Sequence, residues 1–169
     1  MPDRRLRLLI TTQQYYPDVP TGSGRLAFDE ALYLVGLGHE VWVVVQDLIG
    51  NHVEYNQQDG LHVLRYPCLK VGLFDPRRRK AHQQQTQMLL GRYLGSGGVD
   101  IVHGHSLLQY DGALEFCGPT VRKCYSVHSP VVLEMQANGR GGSAIKRLRL
   151  ALVGALTHRV ERRCLEQGA

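Results

Sequence analysis

Short apolar runs alternate with amphipathic segments along the chain. The runs are flanked by polar residues, as expected of strands that are buried on both faces of a parallel sheet. The segments between them repeat apolar residues every three or four positions, which is typical of helices that cover a sheet. The predicted strands are 8–10, 41–45, 61–66, 101–102 and 121–127, and the predicted helices are 23–36, 80–94, 107–117 and a long one from 143 onward. This alternation predicts an α/β fold, a Rossmann-like open parallel sheet with helices on both faces.

The first strand–helix–strand unit contains a glycine-bearing loop. Residues 13–21 form the loop, and Gly22-Ser23-Gly24 opens the first helix, which Ser23 is expected to cap with its hydroxyl. The apolar stripe of that helix is predicted to be Phe28, Ala31, Leu32 and Val35. Because the first N–H groups of a helix lack partners and its dipole favours negative charge, this helix start is suited to binding a phosphate or a sugar. The alternative is that the glycines only shape a turn.

Polar residues collect where two later strands end. His103 and His105 follow the strand 101–102, and His128 follows the strand 121–127. In open α/β sheets, ligands bind at the carboxyl ends of the strands. We therefore expect His105 and His128 to belong to a functional site, whereas a histidine satisfied within the fold is at least as good an interpretation of His103. No nearby cysteine or glutamate in the sequence completes a ligand set with this pair, so no metal site is predicted.

The charge of the chain changes this picture little. The formal net charge is +5, with basic residues concentrated at 77–80 and in the last helix, where Lys146, Arg147, Arg149, Arg159, Arg162 and Arg163 lie. A solvated basic face is the simplest interpretation. The alternative is an attraction to anionic lipid headgroups, as a peripheral membrane contact, or to an acidic acceptor. Nucleic acid is not an expected partner, because the basic residues are not interleaved with aromatic ones.

Length and cysteine usage indicate one domain in a reducing compartment. A chain of 169 residues has room for a single α/β domain, 1–169. The four cysteines are scattered without a C-x-x-C pair, which predicts reduced, structural thiols. Neither a signal peptide nor an apolar stretch of membrane-spanning length is present in the sequence, so a cytoplasmic protein is expected.

One motif favours a different function. Gly22 to Ala27 fits G-x-G-x-x-A, and Asp47 lies where a dinucleotide fingerprint places its acidic residue, so a small dinucleotide-binding oxidoreductase is one alternative. In that fingerprint, however, the first glycine follows the strand directly. Here about ten residues intervene.

The sequence resembles the opening of family-four glycosyltransferases of the GT-B fold. The resemblance is carried by Tyr15-Tyr16-Pro17-Asp18, by Thr21 to Arg25, and by Gly36-Leu37-Gly38-His39-Glu40-Val41, which is similar to the family's "GHEV" turn. Two later segments are also similar: 100–105 to the family's "D-V-V-H-x-H", and 126–129 to its "T-x-H-D", with Ser126 and Ser129 as substitutions. The paired glycines of the family are split here by Ser23.

This resemblance implies an enzyme and roles for several residues. The implied reaction transfers a sugar from a nucleotide-sugar to an acceptor hydroxyl with retention, without a metal or other cofactor. Gly22, Ser23 and Gly24 would bind the donor phosphate or sugar, and His105 and His128 would be the catalytic-site residues. Four residues would border the acceptor: Tyr15, Tyr16, Asp18 and Arg25.

The resemblance covers nearly all of this chain but only about the first half of a typical family member. We therefore expect the N-terminal, acceptor-side half of a GT-B fold, with the nucleotide-sugar domain absent and supplied in cis or in trans. Alone, such a half is expected to be inactive. A non-catalytic subunit that assists a partner glycosyltransferase is the other alternative, and the acceptor is not specified by the sequence.

Overall fold

The computed structural model describes residues 4–47, 52–67, 77–95, 98–128 and 143–168. Within them the elements follow in the order β1 (Arg7–Thr12), α1 (Gly22–Gly36), β2 (Glu40–Asp47), β3 (Glu54–Gln58), β4 (Leu61–Pro67), α2 (Arg78–Tyr93), β5 (Ile101–Gly104), α3 (Leu107–Cys117), β6 (Arg122–Tyr125) and α4 (Ala144–Gly168). Every predicted strand and helix is present, so the α/β class is confirmed. The predicted loop between β4 and α2 lies mostly outside the described residues.

The strands form one six-stranded sheet in the order β3-β4-β2-β1-β5-β6. β1 pairs in parallel with β2 and β5, β2 pairs in parallel with β4, and β5 pairs in parallel with β6. β3 is antiparallel to β4 at the edge, joined to it by a turn at Asp59-Gly60, where both residues have positive φ. The sequence predicts this turn but not β3, because β3 is polar and half-exposed and lacks an apolar signal.

Helices cover both faces of the sheet. α1 packs on one face, over a core that contains Ile10, Val43 and Val63. α2, α3 and α4 lie on the other face, over a core that contains Leu9, Val44 and Leu64. These two sets alternate along each strand, because successive side chains point to opposite faces. Burial on both faces explains why β1 and β2 are almost continuously apolar.

The ends of α1 are set by side-chain and backbone hydrogen bonds. Thr21, rather than the predicted Ser23, is the N-cap, and its Oγ1 accepts a hydrogen bond from the Gly24 N–H at 3.2 Å. At the other end the N–H of Gly38 donates to Val35 O at 2.8 Å and that of His39 donates to Leu34 O at 3.2 Å. This pairing is a Schellman motif, and Gly38, with φ of +88°, supplies the left-handed residue that it needs.

The predicted apolar stripes of α1 and α4 match the buried faces of these helices only in part. In α1, Ala31 is buried and Phe28 and Val35 pack against the core, as predicted. In α1 the buried residues are Gly24, Ala27 and Ala31, whereas Leu32 is 45% exposed. The spacing of apolar residues in α4 predicts a stripe of Ile145, Leu148, Leu152, Leu156 and Val160. Of these, Val160 is buried, together with Gly154 and Cys164, whereas Leu148, Leu152 and Leu156 are exposed. The fully buried positions of α1 are thus small residues, and the larger Phe28, Leu34 and Val35 pack beside them against the core.

None of the described helices combines the length and the apolar character needed to cross a bilayer. Cys117, Cys124 and Cys164 are not in disulfides, as predicted. Burial raises the pKa of Cys117 to about 11, which keeps it a thiol. Cys68 lies outside the described residues.

Candidate functional site

A group of polar side chains lies on the α1 face of the sheet, where β5 and β6 end. His103 in β5 shares its face with Ile101, two residues earlier, and pairs in register with Ile10 and Cys124. The strand direction continues for one residue, since the His105 N–H donates to Thr11 O at 2.8 Å. His103 and His105 therefore both face α1, as their spacing predicts.

Glu30 of α1 joins the two histidines. Its Oε1 lies 2.5 Å from His103 Nδ1, and its Oε2 lies 2.8 Å from His105 Nε2. The carboxylate is one turn from the buried Ala27, at the edge of the α1 surface that packs on the sheet. The His105 side chain is only 1% exposed, so this contact is largely shielded from water.

The electrostatics of this contact favour an ionised carboxylate. Partial burial acts to raise the pKa of Glu30, but the hydrogen bonds and charge interactions of His103 and His105 outweigh it and lower that pKa to about 2. Glu30 is therefore a fixed negative acceptor at every physiological pH.

The hydrogen-bonded chain continues toward the surface. His105 Nδ1 lies 3.0 Å from His128 Nε2, and the two rings are stacked with centroids 5.2 Å apart. His103 Nε2 lies 2.8 Å from Ser126 Oγ. His128 is exposed, and burial of part of its ring, with the nearby His105 and His103, lowers its pKa. We refer to Glu30, His103, His105, Ser126 and His128 as the histidine cluster.

Three members of the histidine cluster have the side-chain types that bind metals. One ligand atom each of Glu30, His103 and His105 lies within 4.8 Å of the others. A metal ion bound by these three side chains would compete with the hydrogen bonds that Glu30 makes to the two histidines. The sequence-based argument that no glutamate lies nearby was wrong, because Glu30 is distant in sequence and close in space.

One of the backbone N–H groups at the start of α1 already has a hydrogen-bond partner. The Gly24 N–H is bonded to Thr21, and a Cβ on Gly24 would lie 2.9 Å from Thr21 Oγ1 and 3.2 Å from the backbone of Gln14. Gly24 therefore has a packing reason to be glycine. A Cβ on Gly22 would meet nothing within 4 Å. Of the three residues predicted to bind a ligand through their backbone N–H groups, this leaves Gly22 and Ser23, at the accessible start of α1.

The predicted acceptor residues divide into a buried and an outer set. Tyr15 is 2% exposed and packs edge-on against Phe28; its hydroxyl has no hydrogen-bond partner among the described residues. Burial raises the pKa of Tyr15 to about 12, with Arg65 acting in the opposite direction. Tyr16 lies nearer the surface, and the Arg25 guanidinium stands 4.6 Å from its ring centroid.

Asp18 fixes the loop to the sheet. Arg65 of β4 donates to both carboxylate oxygens of Asp18, at 2.7 and 3.3 Å, and to Asn56 Oδ1 at 2.6 Å. Arg25 in turn is held by Asp29 at 2.8 Å. Both predicted acceptor residues thus already have charged partners. Their role in binding an acceptor stays a prediction.

On the opposite face of the sheet, buried polar groups form a separate network. His82 Nδ1 lies 2.9 Å from the Tyr66 hydroxyl, which accepts a hydrogen bond from Gln109 Nε2 at 2.8 Å, and Ser106 donates to Gln109 Oε1 at 2.8 Å. Ser106 occupies the N-cap position of α3, but its side chain makes no capping bond. This network joins β4 to α2 and α3.

The structure thus brings His105 and His128 together, as predicted, and adds His103, Ser126 and Glu30. The sequence analysis missed Glu30. The available signal was a carboxylate at the border of the small-residue surface of α1, but its partners are more than seventy residues away. Ser129 lies outside the described residues.

These observations define the class of protein: a Rossmann-like α/β domain with a polar site at the carboxyl edge of its parallel strands. Residues 20–167 match the family model described as Glycosyltransferase Family 4, and the chain belongs to that family. The match favours the glycosyltransferase interpretation over the dinucleotide-binding alternative. No curated protein matches the sequence.

Two solved structures are among those similar to this chain. One is sucrose-phosphate synthase from Thermosynechococcus elongatus, with a TM-score of 0.59 and 12% identity over 86% of this chain and 39% of that protein. The other is the E. coli trehalose-6-phosphate protein bound with UDP-2-fluoro glucose, with a TM-score of 0.46 and 14% identity over 73% of this chain and 33% of that one. This chain thus spans well under half of each, and the first likeness supports the Rossmann-like fold alone.

Proposed function

We propose that this chain is the acceptor-side half of a glycosyltransferase that moves a sugar from a nucleotide-sugar to an acceptor hydroxyl with retention. The observation that carries the proposal is the histidine cluster at the carboxyl edge of the sheet, in a chain of glycosyltransferase family 4. A second nucleotide-sugar-binding domain, in cis or in trans, completes the cleft.

In this proposal the histidine cluster binds hydroxyl groups rather than forming a covalent bond. His128, exposed at the end of the hydrogen-bonded chain, contacts the transferred sugar or the acceptor, and His105 orients His128 from below. Imidazole nitrogens serve well as hydrogen-bond partners of sugar hydroxyls, because each nitrogen either donates or accepts. We assign no protein nucleophile.

The helix start supplies the second part of the proposed site. The N–H groups of Gly22 and Ser23 face donor phosphate or sugar, where the α1 dipole favours negative charge. Gly24 supports this contact by allowing the loop to pack closely on α1. Tyr16 and Arg25, with Tyr15 and Asp18 behind them, border the acceptor. No metal or other cofactor takes part.

The cellular setting is also proposed. We place the protein in the cytoplasm, with the basic residues of α4 as a peripheral contact for anionic lipid; Arg159 and Arg162 are exposed there. Screening of such a contact by salt would weaken it. No nucleic acid is involved.

Calorimetric titration tests the proposal. The chain is titrated with a panel of nucleotide-sugars and nicotinamide cofactors, alone and mixed with the C-terminal domain of a family-4 enzyme. We expect the chain alone to bind weakly or not at all, and the mixture to bind a nucleotide-sugar and transfer its sugar. This binding and transfer should be lost in His128→Ala. They should be kept in His158→Ala, which changes an exposed histidine of α4. Tight nicotinamide binding by the chain alone would overturn the proposal. Nucleotide-sugar binding that needs this chain but survives His128→Ala would instead indicate the non-catalytic subunit.

A further inference from the structure

The histidine cluster allows its protons to be assigned. A carboxylate only accepts hydrogen bonds, so the two ring nitrogens that contact Glu30 must both carry a proton. These are Nδ1 of His103 and Nε2 of His105. The two histidines thus hold opposite tautomers, although they lie two residues apart on one strand end.

The remaining contacts follow from these two. With Nδ1 protonated, neutral His103 accepts at Nε2 from the Ser126 hydroxyl. With Nε2 protonated, neutral His105 accepts at Nδ1, so its partner His128 Nε2 must donate. Neutral His128 then keeps an unprotonated Nδ1, which has no hydrogen-bond partner among the described residues. Every donor within the cluster has an acceptor in this arrangement.

We infer that Glu30 is a positioning residue that fixes the tautomers of His103, His105 and His128, so that His128 presents an unprotonated Nδ1 at the sheet edge. Glu30 acts through His105 and does not contact the ligand. The tautomers rest on the contact geometry, for neutral rings beside an ionised Glu30. Their purpose, an acceptor for a hydroxyl of the sugar or of the sugar acceptor, rests on the proposed function.

Several features of the site support a fixed arrangement. The carboxylate binds both histidines at once, and His105, the central ring, is 1% exposed. The rings of His103 and His105 lie 4.3 Å apart, and α1 holds Glu30 on a surface anchored by the buried Ala27 and Ala31. A tautomer switch at His105 would leave the Nε2 lone pair against the carboxylate, which costs the full penalty of a lost buried hydrogen bond.

Nuclear magnetic resonance tests the assignment directly. Long-range correlations between ring protons and ring nitrogens of the ¹⁵N-labelled chain at pH 7.5 report each tautomer. We expect the Nδ1–H form for His103 and the Nε2–H form for His105 and His128. The Nε2–H form in both His103 and His105, or a doubly protonated His105, would overturn the inference without any variant.

The variant Glu30→Gln tests causation. An amide offers one acceptor and one donor where the carboxylate offers two acceptors, so at least one of His103 and His105 must switch tautomer. Asp29→Asn, its neighbour on α1, removes an exposed charge and is the control that should leave all three signals unchanged. Unchanged tautomers in a folded Glu30→Gln protein would contradict the role of Glu30.

Two further measurements separate competing explanations. Zinc chloride added to the chain should leave the His103 Nδ1–H and His105 Nε2–H signals in place; their stoichiometric loss would show a metal site and overturn the inference. In the complex with a C-terminal domain, Glu30→Gln should lower kcat by about tenfold or more with little change in KM. An inactive wild-type complex would refute the proposed function and leave the tautomer result standing, whereas a tautomer switch with unchanged kcat would remove the positioning role.

Discussion

Two glycines at the start of α1 differ in what surrounds them, although both are predicted ligand-binding residues. A Cβ on Gly24 would press on the backbone of Gln14 at 3.2 Å, whereas Gly22 faces open space. Backbone cannot move aside as a flexible side chain can. Gly24 thus shapes the loop, and Gly22 leaves the helix start accessible.

This difference predicts unequal effects of the same substitution. Gly24→Ala should reduce the free energy of unfolding by ~1–3 kcal/mol, because overpacking forces the loop away from α1. Gly22→Ala, its control, should change the same quantity by less than about 0.5 kcal/mol. Urea denaturation measures both values. Equal values would show that the loop adapts freely and that Gly24 has no packing role.

His82 predicts a pH dependence of stability. The ring is 1% exposed, and burial, with a smaller contribution from Arg78, lowers its pKa from the ordinary 6.5 to about 4. Between pH 6.5 and pH 4, His82 is therefore protonated in the unfolded chain but not in the folded chain. The free energy of unfolding is therefore unaffected by the titration of His82 above pH 6.5 and decreases as the pH falls toward 4. The decrease at pH 4 is at most ~3 kcal/mol.

Denaturation in urea at a series of pH values from 7.5 to 4.5 measures this dependence. In His82→Gln the titrating group is gone, while the amide can still bond to the Tyr66 hydroxyl, so the free energy of unfolding should fall less steeply with pH. Parallel curves for the wild type and the variant would mean that other groups cause the acid dependence.

At the scale of elements, one carboxylate links three helices. Asp111 of α3 is completely buried and binds Arg79 of α2 at 2.8 Å and Arg163 of α4 at 3.4 Å, while Gln83 donates to it at 2.7 Å. These contacts with one carboxylate fix the positions of α2, α3 and α4 relative to one another. Arg163 also binds Glu115 of α3 at 2.6 Å, so Asp111 and Glu115 together attach α4 to α3.

Removing that charge should loosen the helical layer. We expect Asp111→Asn to lower the free energy of unfolding by ~2–4 kcal/mol, because two arginines lose their buried partner. Asp29→Asn breaks an exposed ion pair with Arg25 and should cost less than ~0.5 kcal/mol. Thermal unfolding followed by circular dichroism compares the two. Similar melting temperatures for both variants would contradict the anchoring role of Asp111.

The elements also show how far a sequence predicts this structure. Apolar periodicity predicted five strands and four helices, because it reports which local segments must be buried. It missed β3, which pairs with β4 and packs a single aromatic residue, Tyr55, against the core, because one such residue among polar ones gives no periodic signal. In α4 it predicted the buried Val160 but also the exposed Leu148, Leu152 and Leu156, since the pattern shows that a stripe is apolar but not which surface the rest of the chain covers.

Prediction of the candidate site from the sequence is limited by contacts between residues that are far apart along the chain. His105 and His128 were predicted because the carboxyl ends of parallel strands meet at one edge. Glu30 was not, because its contacts depend on how α1 crosses the sheet, which no local pattern encodes. The partnership of Asp18 with Arg65 was missed for the same reason.

At the scale of the whole molecule, the two faces of the sheet have different tasks. The face that α2, α3 and α4 cover holds most of the core and the network of His82, Tyr66 and Gln109. The α1 face carries the histidine cluster, whose outermost ring is exposed. Stability and the proposed chemistry are therefore separable by mutation, since each depends on polar groups on its own face.

Two mostly buried histidines allow this separation to be tested. His105, in the cluster, has a side chain that is 1% exposed, and His62, on the opposite face, is 8% exposed and stacks on Trp42 at 4.0 Å. In the complex with a C-terminal domain, His105→Ala should lower turnover by about 100-fold, a typical loss for a group that orients a reacting hydroxyl, and should lower stability only modestly.

His62→Ala should show the opposite pattern, with a comparable or larger loss of stability and unchanged turnover, because its ring packs on β2 and β3 away from the cluster. Initial rates of sugar transfer and urea denaturation, measured on the same preparations, give both quantities. A folded His105→Ala protein with wild-type turnover would show that catalysis does not depend on His105 of the histidine cluster. An equal loss of turnover in both variants would show that activity follows stability, whichever face of the sheet is changed.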